Sequence, residues 1–189
     1  MKESFNLFNI NSVRPIVRKV LRYKKSGSAL DLGCGAGRHA LFLAKNGFSV
    51  IAVDNRTEVL AALKELARLQ KLPVMVRRDD AITFSSKRKF DVVLSTMILH
   101  FLPYQSQKKA IFTMQEYTKN NGLNVVSNYT NKNKKGTRPH LVRTGVLKKL
   151  YEDAGWSILD YEERLGKPIS SSSGKIVRYW KEEFIAQKL

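Results

Sequence analysis

Acidic residues are scarce in this chain: sixteen Asp and Glu stand against 34 Lys and Arg over 189 residues, a formal net charge of +18. A field of that sign disfavours cationic partners and attracts anions, whether nucleic acid, a membrane surface or a small oxyanion. Cysteine is scarcer still. The single Cys34 excludes an intrachain disulfide and fits a reducing compartment. Between two glycines it reads as a small residue filling a tight turn. Apolar runs fall short of the ~20 residues that a helical membrane span requires. The opening Met1-Lys2-Glu3-Ser4-Phe5-Asn6 lacks the charged-then-apolar layout of a signal peptide, so the expected location is the cytoplasm. The length fits one domain over 1–189 with a sizeable core, and no internal repeat divides it.

Short apolar runs alternate with helical patterns along most of the chain. Val13, Ile16, Val17, Val20 and Leu21 recur at helical spacing inside an N-terminal extension over 1–28. Strands are expected at 29–32, 48–53, 74–76, 90–95 and 123–129. Helices are expected at 38–45, 58–72 and 106–118, with Gly47 and Pro73 as stops. This alternation predicts an α/β fold, a doubly wound, mostly parallel sheet covered on both faces. A polar, basic loop over 130–143 follows. Then comes a helix over 144–154 with Thr144 as its N-cap. Two extended runs, 156–165 and 175–186, flank a Gly- and Ser-rich connection and read as an antiparallel hairpin.

One stretch stands out, Leu30-Asp31-Leu32-Gly33-Cys34-Gly35-Ala36-Gly37-Arg38-His39. A strand, a glycine-rich turn and a helix start make a nucleotide site, because backbone without Cβ approaches a ligand closely and the helix start offers unpaired N–H groups. The dinucleotide fingerprint places its third glycine one position later than Gly37, which argues against a nicotinamide cofactor. Three more acids stand in register with the turn. Asp31 precedes it, Asp54 closes the next strand, and Asp80-Ala81 follows the third. In an open parallel sheet the ligand lies beyond the carboxyl ends of the strands. There Asp54 can accept from two adjacent ribose hydroxyls, Asp80 can accept from an adenine amino group, and Asp31 can meet a positive group.

Leu30 to Gly37, Val53-Asp54, Asp80-Ala81 and Phe90-Asp91-Val92-Val93-Leu94-Ser95 together resemble the ordered motifs of class I S-adenosylmethionine-dependent methyltransferases. The resemblance covers about 29–129 and implies a seven-stranded Rossmann-like sheet whose last strand is antiparallel. It also implies that S-adenosyl-L-methionine is the cofactor. Gly33, Gly35 and Gly37 would then back the methionine moiety, Asp54 would hold the ribose and Asp80 the adenine end. Ser95 and nearby backbone would face the sulfonium. Within that superfamily, Gly35-Ala36-Gly37-Arg38-His39-Ala40-Leu41, Leu94-Ser95-Thr96-Met97-Ile98-Leu99-His100 and Leu150-Tyr151-Glu152-Asp153-Ala154-Gly155-Trp156 are similar to the tellurite-resistance methyltransferases. That family carries His and Arg near the turn of its last hairpin, where this chain has Gly166-Lys167 and a serine run.

The methyl acceptor is the open question. A reduced chalcogen oxyanion such as tellurite needs cations more than it needs a base, and Arg138, Arg143 and Lys167 are the candidates if the basic loop closes over the site. A nitrogen or oxygen acceptor needs deprotonation, for which His100 or His140 are placed, and Tyr129 could line the pocket. Methylation of RNA is an alternative reading of the net charge, although Ser95-Thr96-Met97-Ile98 stands where an amino-methylation motif would be. A non-catalytic cofactor- or nucleic-acid-binding protein is the other, because a fold alone does not make an enzyme. No metal cluster is expected.

Overall fold

The computed structural model describes residues 13–133, 140–166, 169–170 and 176–189. Helix α1 (Pro15–Tyr23) leads into strand β1 (Gly27–Leu32), and the glycine turn then passes to α2 (Arg38–Lys45). The chain continues through β2 (Phe48–Asp54), α3 (Thr57–Leu69), β3 (Val74–Arg78) and β4 (Phe90–Thr96). A single 3-10 turn (Leu99–Phe101), α4 (Tyr104–Glu116), β5 (Thr118–Tyr129) and α5 (Val146–Glu152) follow. Last come β6 (Ser157–Leu165), a two-stranded ribbon of β7 (Ile169–Ser170) and β8 (Ile176–Val177), and β9 (Trp180–Gln187).

Seven strands form one sheet in the order β3-β2-β1-β4-β5-β9-β6. The first five are parallel, and β9 runs antiparallel between β5 and β6. The order turns back at β1, so the gap between the ends of β1 and β4 is the switch point where such sheets take ligands. The sheet is covered on both faces. Val92 and Leu94 face α1, α2 and α3 with Ala29, Val50, Val125 and Ile185. Val93 faces α4 and α5 with Leu30, Val126 and Phe184. Adjacent residues alternate between the two cores because strand side chains alternate with period two.

Proline sets the start of α1. Pro15 takes the first helical position and holds Arg14 extended, with φ −62° and ψ 140°. Ile16, Val17 and Val20 are buried against β5 and β9, each contributing roughly 1.5–3 kcal/mol. No described helix is long and apolar enough to cross a membrane.

Three local expectations are corrected. Thr144 is not the cap of α5: Gly145, with φ 83°, takes that place, and the Thr144 hydroxyl donates instead to Glu163 at 2.6 Å. The fifth strand begins at Thr118 rather than 123, with a register shift against β4 that bulges the intervening polar residues. The last strand of the sheet starts at Trp180 rather than 175, because Ile176 and Val177 pair with β7 instead.

Candidate functional site

The turn after β1 uses its glycines differently. Gly33, Gly35 and Gly37 all have positive φ, 71°, 54° and 78°, a region that favours residues without Cβ. A Cβ on Gly33 would stand 2.5 Å from Ile98 Cγ2, and one on Gly37 only 2.3 Å from Leu63 Cδ1. At Gly35 the nearest atom is the Arg56 guanidinium at 3.5 Å. Gly37 is thus a packing glycine that leaves room for the Leu63 side chain of α3 at the start of α2, whereas Gly35 leaves open space. That space is a cleft of about 520 Å³, walled by the turn, by Asp54 to Arg56, by Asp80 to Ile82, and by Thr96 to Ile98 with Phe101 and Leu102. The volume is that of a drug- or cofactor-sized ligand.

Asp54 closes β2 in the cleft wall. Its Oδ2 accepts the Gly35 N–H at 2.8 Å, and its Oδ1 accepts the Arg56 N–H at 3.1 Å and Nε–H at 3.0 Å. Burial alone would raise this carboxyl, but the hydrogen bonds from Arg56 and Gly35 hold it below the usual range. It is an ionised acceptor at neutral pH. Asp80 caps its own turn, Oδ1 accepting the Ile82 N–H at 2.7 Å, and Ala81 lies beside it in the wall.

Asp31 lies outside the wall, fully buried behind the turn, and its carboxylate has the Ala40 N–H as a backbone donor but no side-chain hydrogen-bond partner. Burial pushes it up to about 7, opposed by the charge of Arg38. A buried carboxylate with no side-chain partner costs free energy unless something pairs with it. Cys34 is buried, and burial pushes its thiol up, out of the reactive range.

The end of β4 corrects the expectation for Ser95. Ser95 is buried on the α4 face and absent from the wall, and its hydroxyl has no partner. Thr96 and Met97 take the place instead. Met97 has φ 63°, a strained conformation for a non-glycine residue, fixed by its N–H to the Ser127 carbonyl at 2.7 Å. Thr96 Oγ1 lies 3.0 Å from His39 Nδ1, while Arg38 donates its Nε–H to His39 Nε2 at 3.2 Å. That donor fixes the tautomer: Nδ1 carries the proton and gives it to Thr96. Burial, with Arg38 and Arg14, lowers His39 to about 3, so it stays neutral. Arg38 and His39 both line the cleft.

The structure places His100 outside the cleft wall. It is buried behind the wall, its N–H and Nδ1 both on Asn128 Oδ1 at 2.9 and 2.8 Å. Its ring meets Phe101 and Tyr129. Arg143 is exposed and absent from the wall. Arg138 and Lys167 lie outside the described residues, and His140 meets Gln107 through its carbonyl. Sequence reasoning passed over Arg14, Arg38, Arg56 and Met97. Only Arg56 had a usable signal, two places after the strand-end acid. No cluster of three or more metal-ligating side chains occurs among the described residues.

The family model for the tellurite resistance protein TehB matches residues 2–175, most of the chain. The chain belongs to that family. Similar proteins include Hemagglutinin 1 of Eikenella corrodens, 29% identical over 79% of this chain and 50% of that protein. A second is the "Probable S-adenosyl-L-methionine-dependent methyltransferase TehB" of Haemophilus influenzae, strain 10810, 26% identical over 85% of this chain and 56% of that protein. The chain spans about half the length of the curated relatives it matches. The crystal structure of TehB from Haemophilus influenzae superposes with a TM-score of 0.86 at 23% identity, covering 97% of this chain and 65% of that one. That match shows the same fold, a seven-stranded, mostly parallel sheet with antiparallel strands at its C-terminal side.

Proposed function

We propose that this chain is an S-adenosylmethionine-dependent methyltransferase acting on a small anionic acceptor, a chalcogen oxyanion such as tellurite being the acceptor class favoured. Family membership and the fold support the reaction class, and one observation carries the cofactor: Asp31, a fully buried carboxylate that no described side chain pairs with, behind an open glycine turn. The cofactor's ammonium is a fitting counter-charge for it. The cofactor would supply a methyl group on a positively charged sulfur. Every other task falls to the protein. Asp54 accepts from ribose hydroxyls, the Asp80 turn with Ala81 and Ile82 encloses the base, and Gly35 admits the ligand against bare backbone. Thr96 and Met97 border the space left for an acceptor.

For an acceptor with a free lone pair, orientation supplies most of the acceleration, roughly 7–11 kcal/mol in favourable cases. No general base is then required, which agrees with a neutral His39 and a buried His100. Label transfer from methyl-labelled S-adenosylmethionine tests the reading, with tellurite, selenite, thiols, small amines and total RNA offered side by side. Label in a methylated oxyanion product is expected. Label appearing in RNA alone, or no transfer to any acceptor, overturns it.

A further inference from the structure

The parallel strands all begin at one end of the molecule, and a cation stands beside every start. Lys24 and Lys25 precede β1, Lys45 precedes β2 and Lys71 precedes β3. The turn Lys87-Arg88-Lys89 precedes β4, Lys119 stands at the start of β5, and Lys188 follows the antiparallel β9 at the same end. Backbone contacts join these segments into one floor. Gly27 donates its N–H to the Gly47 carbonyl at 3.4 Å, and Val50 donates to the Pro73 carbonyl at 2.9 Å. On the other side Phe90 donates to the Tyr117 carbonyl at 2.8 Å, and Asn121 to the Lys188 carbonyl at 2.9 Å. The two sides meet where β1 lies beside β4. From Phe90 on the floor to Thr96 in the cleft wall, β4 rises about 20 Å, so floor and cleft are opposite ends of the sheet.

Little on the floor neutralises this charge. Among the described residues, Lys119 is the floor cation that meets a carboxylate, Asp91 at 2.9 Å. Lys188 gives its ammonium to the Gln115 and Thr118 carbonyls instead, and burial with the charge of Lys89 lowers it. Glu152 and Asp153, at the end of α5, are paired within their own helix to Lys148 and Lys149. Glu116, at the end of α4, is a further acid there. Cations placed after α1, α2 and α3 also complement helix dipoles. The exposed turn Lys87-Arg88-Lys89 has no such role, because no helix separates it from β3. Amides stand among the cations, Asn46, Gln70, Asn120 and Asn121, and lysine and amide side chains are donors suited to phosphate. The exposed aliphatic side chains Leu69 and Leu189 lie at separate ends of the floor, not as one apolar face that sinks into lipid. Six strands, β3 to β9 in sheet order, make the floor about 24 Å wide. A single strand of nucleic acid presents about seven phosphates over that distance.

We propose that this floor is a nucleic-acid-binding surface, taking the phosphate backbone of RNA or DNA at the end of the molecule opposite the cleft. It tethers the chain to a polyanion and does not present a methyl acceptor, since a backbone seated there lies about 20 Å from Thr96. The surface stands whatever the cleft methylates. Its recognition is by counterion release, without base contacts, and is therefore independent of sequence and steeply dependent on salt.

Fluorescence anisotropy of the whole chain uses a labelled oligouridine and a labelled DNA duplex, each long enough to span the floor. Co-sedimentation with phosphatidylcholine–phosphatidylserine vesicles is the membrane arm. The combined variant Lys87→Gln, Arg88→Gln, Lys89→Gln is expected to weaken oligouridine by about tenfold or more at ~100 mM salt. It should also lower the slope of log affinity against log salt by about 2, because each lost phosphate contact removes about 0.7. A control with the same charge change, Lys64→Gln, Lys108→Gln, Lys109→Gln, lies within α3 and α4 and not at their floor ends. It is expected to bind within about threefold of the wild type. Both variants should keep the wild-type affinity for S-adenosylhomocysteine, which should not displace the oligouridine. Lys24→Gln with Lys25→Gln serves if the first variant fails to melt as a folded protein. Equal weakening by floor and control variants overturns the proposal, as does displacement of oligouridine by S-adenosylhomocysteine. Binding to neither nucleic acid overturns it too, and binding to vesicles alone makes the floor a membrane surface instead. If the wild type binds no S-adenosylhomocysteine, the cofactor reading falls and the two variants still judge the floor.

Discussion

Asp31 shows how a single side chain can be costly to the fold and useful to a site. Its carboxyl titrates near 7 in the folded chain because burial disfavours the charge. The folded state therefore holds a proton that the unfolded chain, with an ordinary carboxyl, has lost. Its contribution to stability is complete below about pH 4 and is lost as pH rises through about 7. Asp31→Asn removes that loss. Thermal melts at pH 8 are expected to rise by about 5 °C relative to the wild type, with the difference vanishing near pH 4. The same variant is expected to weaken S-adenosylhomocysteine by about tenfold or more, since a carboxamide cannot pair with an ammonium. A variant that binds normally at pH 8 would remove Asp31 from the proposed site.

The glycine turn is one element performing two jobs, and substitution separates them. In Gly37→Ala the new methyl collides with Leu63 and the left-handed φ is strained, a combined cost of roughly 2–4 kcal/mol. A fall in melting temperature of about 5 °C or more is expected, because the buried Leu63 side chain must move to make room. Gly35→Ala meets only the end of the flexible Arg56 side chain. Its melting temperature should drop by only about 2–4 °C for the φ penalty, while S-adenosylhomocysteine binding is largely lost. Equal melting shifts with equal binding would show that the two glycines do not differ in role. The hairpin of β6 and β9 is the counterpart element. Its inner strand carries Lys181, Glu182 and Glu183 in succession, all buried, and the network around Glu183 ties it to Arg14 ahead of α1.

Over the molecule as a whole, the surplus of basic residues is spread along the chain, 34 Lys and Arg against sixteen Asp and Glu. Such a field concentrates anions near the cleft and is screened by salt, with a Debye length of about 10 Å at 0.1 M. Raising sodium chloride from about 50 to 500 mM is expected to raise the KM for an anionic acceptor several-fold and to change kcat little. A neutral thiol acceptor should show no such dependence. An acceptor KM indifferent to salt would leave the net charge without a part in substrate capture.

Much of this was legible in the linear chain. The strand–helix alternation, the bounds of α2, and the turn with acids at successive strand ends all rest on local rules of periodicity and backbone sterics. Those rules do not change with the partners an element later meets. The family likeness was carried by the same contiguous residues. The interior of the site was not legible. That Ser95 faces α4 while Thr96 faces the cleft follows from which sheet face the ligand takes. That His100 serves Asn128 and the neighbouring rings depends on how the turn after β4 packs. The pairing of Arg14 with Glu183 joins residues 169 positions apart, and no local pattern marks either of them. Strand β9 carries three charged residues in a row, Lys181, Glu182 and Glu183. Its insertion between β5 and β6 buried them and made a charge network beside the cleft. The glycine turn is a consequence of local geometry. The charges that surround it are a consequence of the order in which the strands come together.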